Sequence, residues 1–172
     1  MPTAILSVHD KTGIVEFAKS LASLGWTLLA SGGTATLLRD NGLAVTEVAE
    51  YTKSPEILGG RVKTLHPAIH AGILARDKGE DLSEIAQHGY APINMVVCNL
   101  YPFQETVSKT GVSLQDAIEN IDIGGVALLR AAAENFFRVI TVCDPKDYNH
   151  IVAAIRGTGE IDLALRRDLA VK

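Results

Sequence analysis

Residues 26–42 read WTLLASGGTATLLRDNG. The β-prone run Trp26–Ala30 predicts a strand, because aromatic and aliphatic side chains fit a pleated, buried surface. Ser31-Gly32-Gly33-Thr34 then breaks the run, Thr34–Asn41 has a helical period, and Gly42 ends it. The stretch is a strand, a glycine turn and a helix. The same unit recurs on either side. Ala4–Val8, Leu43–Val48, Asn94–Cys98 and Arg138–Cys143 read as further strands. Thr12–Leu24, His66–Arg76, Asp81–His88, Ser113–Ile121, Gly125–Phe136 and Pro145–Ile155 read as helices. Tyr51–Thr64 has no period and reads as a loop with one helical turn, and Glu160–Val171 as an exposed amphipathic helix. Strand–helix alternation predicts an α/β fold: a doubly wound, mostly parallel sheet of about five strands with helices on both faces. Ligands bind such sheets at the carboxyl ends of the strands. Function is therefore sought in the loops that follow strands.

The chain has 172 residues, 47% apolar and 21% charged, which is the range of a folded single domain rather than a disordered chain. A net charge of −4 argues against a nucleic-acid partner, which needs a basic face. No apolar run approaches the roughly 20 residues of a membrane span, and the first ten residues lack the pattern of a secretory signal. Cys98 and Cys143 fit no metal or redox spacing. The expectation is a cytoplasmic chain with reduced thiols and no membrane partner. Residues 1–157 are expected to form the functional domain and 158–172 a C-terminal helix.

Five loops carry candidate chemistry. Ser31-Gly32-Gly33-Thr34 opens a helix, where free N–H groups and the helix dipole favour an anion. A tight turn with Thr34 as helix cap is the rival reading. Ser7-Val8-His9-Asp10-Lys11-Thr12 follows the first strand, and Lys11 offers a point charge to a phosphate. Capping of the first helix by Asp10 or Thr12 is compatible with that role. Arg61-Val62-Lys63-Thr64-Leu65 places two cations beside a hydroxyl, which suits an anionic substrate or a solvated basic loop. Asn99-Leu100-Tyr101-Pro102-Phe103 follows a buried strand, with Asn and Tyr offering hydrogen bonds and Pro102 fixing the turn as a candidate cis residue; a Tyr–Pro–Phe apolar plug closing the sheet is the rival reading. Asp122-Ile123-Gly124-Gly125 puts a carboxylate among apolar neighbours at a helix start, as a candidate base, a cap or both. His66 and His70 are spaced as a helical metal pair but have no third ligand, so no metal is expected. Phosphate-loop, GxGxxG, GxSxG and zinc patterns are absent from the sequence.

In this order, SVHDKTG, LLASGGTATLL, PEILGGRVKTLHPAIHAGILAR, VVCNLYPF and IDIGGVALLRAAAEN resemble the IMP cyclohydrolase domain, the N-terminal half of the bifunctional AICAR transformylase/IMP cyclohydrolase family. The resemblance spans nearly the whole chain, and RVKTLHP with NLYPF and IDIGG carries most of its specificity. It implies a methylglyoxal-synthase-like fold and ring closure of formyl-AICAR to IMP and water. It implies no cofactor, a nucleotide substrate and a homodimer. Lys63, Tyr101 and Asp122 would be catalytic, with the acid and base roles open among them. Ser7, His9, Asp10, Lys11, Thr12, Ser31, Gly32, Gly33 and Thr34 would hold phosphate and ribose. Arg61, Val62, Thr64, Leu65, Cys98, Asn99, Leu100, Ile123, Gly124 and Gly125 would frame the base.

Three positions depart from the family pattern. Glu134 stands where a lysine is common and is expected to reverse the charge near Asp122. His9 stands where serine is frequent, and Lys53-Ser54 replaces a common Gly-Phe pair. A methylglyoxal synthase is disfavoured, because that family's Gly-Asp dipeptide does not occur here. A regulatory nucleotide-binding module without turnover is the alternative. It would need the phosphate loops but not Lys63, Tyr101 and Asp122 together.

Overall fold

The computed structural model describes residues 1–108 and 110–172. Five strands form one sheet: β1 (Thr3–Val8), β2 (Thr27–Ala30), β3 (Thr46–Glu47), β4 (Met95–Asn99) and β5 (Ile140–Val142). Their order is β3-β2-β1-β4-β5 and every pairing is parallel. The chain thus winds outward from β1 in one direction, then returns to lay β4 on its other side. The switch point lies between β1 and β4, where Val8 pairs with Asn99.

Alternation along the strands sends side chains into two separate cores. Ala4, Leu6 and Val8 of β1 join Met95 and Val97 of β4 on one face. That face is covered by α1 (Ile14–Ser23), α2 (Gly32–Asp40) and, further along the chain, α9 (Tyr148–Thr158). Ile5 joins Val96 and Cys98 on the other, beneath α3 (Val48–Thr52), α4 (Pro67–Leu74) and α8 (Gly124–Glu134). Ile5, Leu6, Leu29, Ile69, Met95 and Leu128 are fully buried. Each such side chain contributes about 1.5–3 kcal/mol. Outside these layers lie α5 (Gly79–Gln87), α6 (Phe103–Val107) and α7 (Leu114–Glu119), while α10 (Leu163–Val171) packs Leu169 onto the first core.

Several expectations are corrected. The third strand is confined to Thr46–Glu47, because Val48 turns away to open α3 and buries completely there. The loop over 51–64 does hold the one helical turn expected of it, a 3-10 turn at Leu58–Gly60, and also takes in the end of α3. The second helix begins at Gly32 rather than Thr34. The helix expected from Pro145 opens as a 3-10 turn and becomes α-helical at Tyr148. The C-terminal helix is not simply exposed: Ile161 and Leu169 enter the first core, and Arg166 Nη1 donates to Arg138 O (2.6 Å). There is no cis peptide bond at Pro102 or elsewhere among the described residues.

The opposite end of the sheet is closed by charge. α4 ends with free carbonyls, as every helix does. Arg138, in the turn before β5, donates from Nε to Ala75 O (2.7 Å). Its Nη2 donates to Gly72 O and Ile73 O (2.6 and 2.8 Å), and its Nη1 to Ile93 O (3.1 Å). Asn135 Nδ2 adds bonds to Ile73 O and Ala75 O. A cation thereby sits at the negative end of a helix dipole.

Candidate active site

A cleft of about 700 Å3 opens at the carboxyl ends of β1, β2 and β4. Its floor is set by a small hydrogen-bond network at the switch point. Asn99 Oδ1 accepts from His9 N (2.7 Å) and Asp10 N (2.8 Å), and its Nδ2 donates to Asp10 O (3.0 Å). One amide thus ties the end of β4 to the loop after β1. Thr34 belongs to this floor: its hydroxyl accepts from Val8 N and donates to Val8 O (3.1 Å). This removes the rival reading in which Thr34 caps the helix. Ser31 occupies the cap position without a side-chain cap bond, and its hydroxyl lies 3.2 Å from that of Ser7.

The N-terminus of α2 is therefore free to meet a ligand. It has no side-chain cap and no acidic residue in its first turn. Lys63 adds a second positive charge: a β-carbon on Gly32 would lie 2.9 Å from its Nζ. Gly32 also has φ +50°, so glycine serves here both for conformation and for room. Lys63's nearest carboxylate, Glu56, is 4.0 Å away. Lys11 donates to Val8 O and His9 O. Burial lowers its pKa, Asp10 opposes that shift and Lys63 reinforces it. The positive helix terminus and two ammonium groups form a cradle suited to a phosphate.

The other wall carries the remaining candidates. Asp122 Oδ1 accepts from Gly125 N (2.7 Å), so the carboxylate caps α8 while lining the cleft. Gly124 lets the walls close together: a β-carbon there would lie 2.6 Å from Thr64 Oγ1. Tyr101 is 49% exposed, and its ring lies 4.8 Å from that of His9, tilted by 54°. Arg61 Nη2 donates to Glu119 Oε1 across the cleft mouth.

Of the expected site residues, Lys63, Tyr101 and Asp122 all line this one cleft. So do Ser7, His9, Lys11, Ser31, Gly33 and Thr34, and so do Arg61, Thr64, Asn99, Ile123, Gly124 and Gly125. Gly32 touches it through Lys63. Asp10 and Leu100 face a neighbouring hollow of about 890 Å3 instead. Thr12 donates its backbone N–H to Asp10 Oδ1 (2.9 Å) at the start of α1. Val62 and Leu65 lie off the cleft and close a turn, Leu65 N donating to Val62 O (2.9 Å). Cys98 is 1% exposed, in the second core beneath the cleft. Burial, with Asp122 and Cys143 adding to it, pushes its thiol pKa up to about 12.

Leu58, Gly59, Gly60, Ile118, Glu119 and Ile121 also line the cleft and were not singled out from the sequence as site residues. The PEILGG segment hinted at the first three, but nothing local marks Glu119, whose partner lies 58 residues away. Glu134 ends α8, ten residues and roughly 15 Å of helix from the Asp122 end, so it does not set the charge there. His66 Nδ1 accepts from Ala68 N (3.1 Å) and caps α4. Among the described residues, no group of three or more His, Cys, Asp or Glu side chains forms a metal cluster.

The MGS-like domain family matches residues 13–127. The chain belongs to that family. This MGS-like domain is 55% identical over 174 residues to the bifunctional purine biosynthesis protein PurH of Cyanothece sp. (strain PCC 7425 / ATCC 29141), covering 99% of this chain and 34% of that protein. It is 51% identical to PurH of Persephonella marina (strain DSM 14350 / EX-H1), covering 98% of this chain and 33% of that protein. It spans about a third of the length of these curated relatives. The crystal structure of ForH is similar with a TM-score of 0.90 and 38% identity, covering 99% of this chain and 88% of that one. The all-parallel five-stranded sheet of this MGS-like domain is thus the expected fold.

Proposed function

We propose that this MGS-like domain is an IMP cyclohydrolase that closes the purine ring of formyl-AICAR to give IMP and water. The observation that carries the reading is the convergence of Lys63, Tyr101 and Asp122 on the same cleft as the α2 anion cradle. A nucleotide with its phosphate on Ser31–Thr34 and Lys11 would run along the cleft toward Asp122. The likeness to PurH of two bacteria supports a purine substrate.

The chemistry follows from what must move. The carboxamide nitrogen attacks the formyl carbon, forming the C–N bond and sending the carbonyl π electrons to oxygen. One proton leaves the carboxamide nitrogen and one reaches the formyl oxygen. The carbinolamine then breaks its C–O bond, loses the proton on the former formamide nitrogen, and releases water as the C=N bond forms. Asp122 has one oxygen held by Gly125 N, and its second oxygen takes or orients the carboxamide proton. Tyr101, with Lys63, stabilises and protonates the formyl oxygen. Lys63 also faces the phosphate cradle, so its charge serves binding as well. Much of the acceleration comes from holding amide and formyl groups together in one cleft.

The reaction as written calls for no cofactor. The enzyme is read as cytoplasmic and homodimeric. Exposed Leu100, Phe103, Val107 and Ile123 near the cleft support the dimer, which sedimentation at micromolar concentration would detect.

The test is incubation with formyl-AICAR, following IMP by absorbance. Ring closure that Asp122→Ala abolishes and Tyr101→Phe slows by at least tenfold, with IMP affinity nearly kept, is the expected result. Tight IMP binding without any closure would replace the enzyme by a regulatory nucleotide-binding module.

A further inference from the structure

We infer that Glu119 is a positioning residue that holds Arg61 across the cleft mouth, so that ligand enters and leaves only when this ion pair opens. The inference rests on the reading of the cleft as a nucleotide site and concerns access rather than chemistry.

Three observations carry it. First, the pair joins two walls of the same cleft. Arg61 lies just after the 3-10 turn Leu58–Gly60, and Glu119 ends α7. Both residues line the cavity. Second, neither wall is anchored by burial. Among described side chains, none from Lys53 to Lys63 and none from Leu100 to Ile121 is buried. Segments with so little packing open at low free-energy cost, unlike the sheet beneath them. Third, Glu119 is held on its own helix, where Gln115 Nε2 donates to the same Oε1 (3.1 Å). Ser113 and Asp116 form a capping box that fixes the start of that helix. A braced helix that lacks a buried contact, tied to the facing loop by an ion pair, is a strap over the opening.

The strap differs from a ligand contact in its kinetic signature. An exposed pair gains little energy in water and exchanges readily, with side chains here 61% and 46% exposed. It therefore delays passage in both directions without choosing between free and bound protein. A residue that prepared Arg61 for the ligand would instead change release alone, and one that competed with the ligand for Arg61 would change association alone.

The test is stopped-flow binding of IMP to the intact chain and to Glu119→Gln, which keeps the size of the side chain and removes its charge. Association and release are expected to rise together, roughly two- to fivefold, with the Kd held within about twofold. The difference should shrink in 0.5 M salt, because the pair is exposed. Faster amide exchange across Leu114–Glu119 in the variant would report the freed helix independently of binding. Unchanged rates, or a change confined to one of them, would overturn the inference. Failure of the unmodified chain to bind IMP would instead sink the proposed function.

Discussion

The two ends of the sheet treat positive charge in opposite ways. At the amino end, Arg138 spends its guanidinium on four carbonyls, three at the end of α4 and its C-cap and one, Ile93 O, just before β4. Charge and dipole there have opposite sign, and the donors are consumed. At the carboxyl end, Lys63 lies against the uncapped N-terminus of α2, with Lys11 near it. There positive charge meets positive dipole, and the nearest carboxylate to Lys63 is 4.0 Å away. A cation that serves the fold is satisfied by the fold. A cation that serves a ligand is compensated more weakly: Lys63 has only Glu56, at 4.0 Å, against the positive end of α2. This is the sense in which a binding site stores instability that the rest of the molecule must offset.

The comparison breaks first at Arg138. Arg138→Ala would strand several carbonyls in the half-buried turn, and a loss of roughly 3–4 kcal/mol in denaturant unfolding is expected. Arg138→Lys should recover only a minor part, because a point charge cannot fork to four acceptors. A loss below about 1 kcal/mol would mean that water replaces the guanidinium and that the amino end is no more satisfied than the cleft. The opposite sign is expected at Lys63. Lys63→Met should raise stability by about 0.3–1 kcal/mol, the scale of a charge–dipole interaction, while IMP binding falls by more than tenfold. A destabilised Lys63→Met variant would make this cation structural.

The most specific effect, felt only at alkaline pH, concerns Cys98, in the core directly below the cleft. Its thiol stays protonated up to about 12 when folded, against an ordinary value of 9.0, chiefly because it is buried. Between those pH values the unfolded chain has lost a proton that the folded chain keeps, so stability falls as pH rises. The slope attributable to this one group is at most about 1.4 kcal/mol per pH unit. Cys98→Ala should remove that alkaline slope. A slope that persists unchanged would assign it to other groups.

Much of this was legible in the sequence because the signals are local. Ala4–Val8, Trp26–Ala30 and Asn94–Cys98 are apolar runs bounded by turn residues, and they became the three central strands within a residue at either end. Thr34 and Val48 were misplaced for a shared reason. Their roles depend on partners outside their own segment: the Val8 backbone for one, the second core for the other. The site shows the same division. Lys63, Tyr101 and Asp122 were visible from motif order, whereas Glu119 and the His9–Tyr101 ring pair emerge only when distant segments meet. Glu134 is the converse case: the family pattern links its position to Asp122, but α8 carries it to the far end of the helix.

The adjacency of β1 and β4 also orders events in time. Ala4 pairs with Met95 and with Leu28 on its two sides, so one neighbour lies 91 residues away and the other 24. Closing the longer loop costs about 1 kcal/mol more chain entropy. β1 with β2 is therefore the earlier pairing, and the Asn99 clasp is made only when the distant strand arrives. A chain emerging from the ribosome would display its serine–glycine turn and its lysines long before the tyrosine and aspartate that face them. On the proposed function, nucleotide capture would report completion of the fold, and a nascent or truncated chain would carry the charges of the site without its grip.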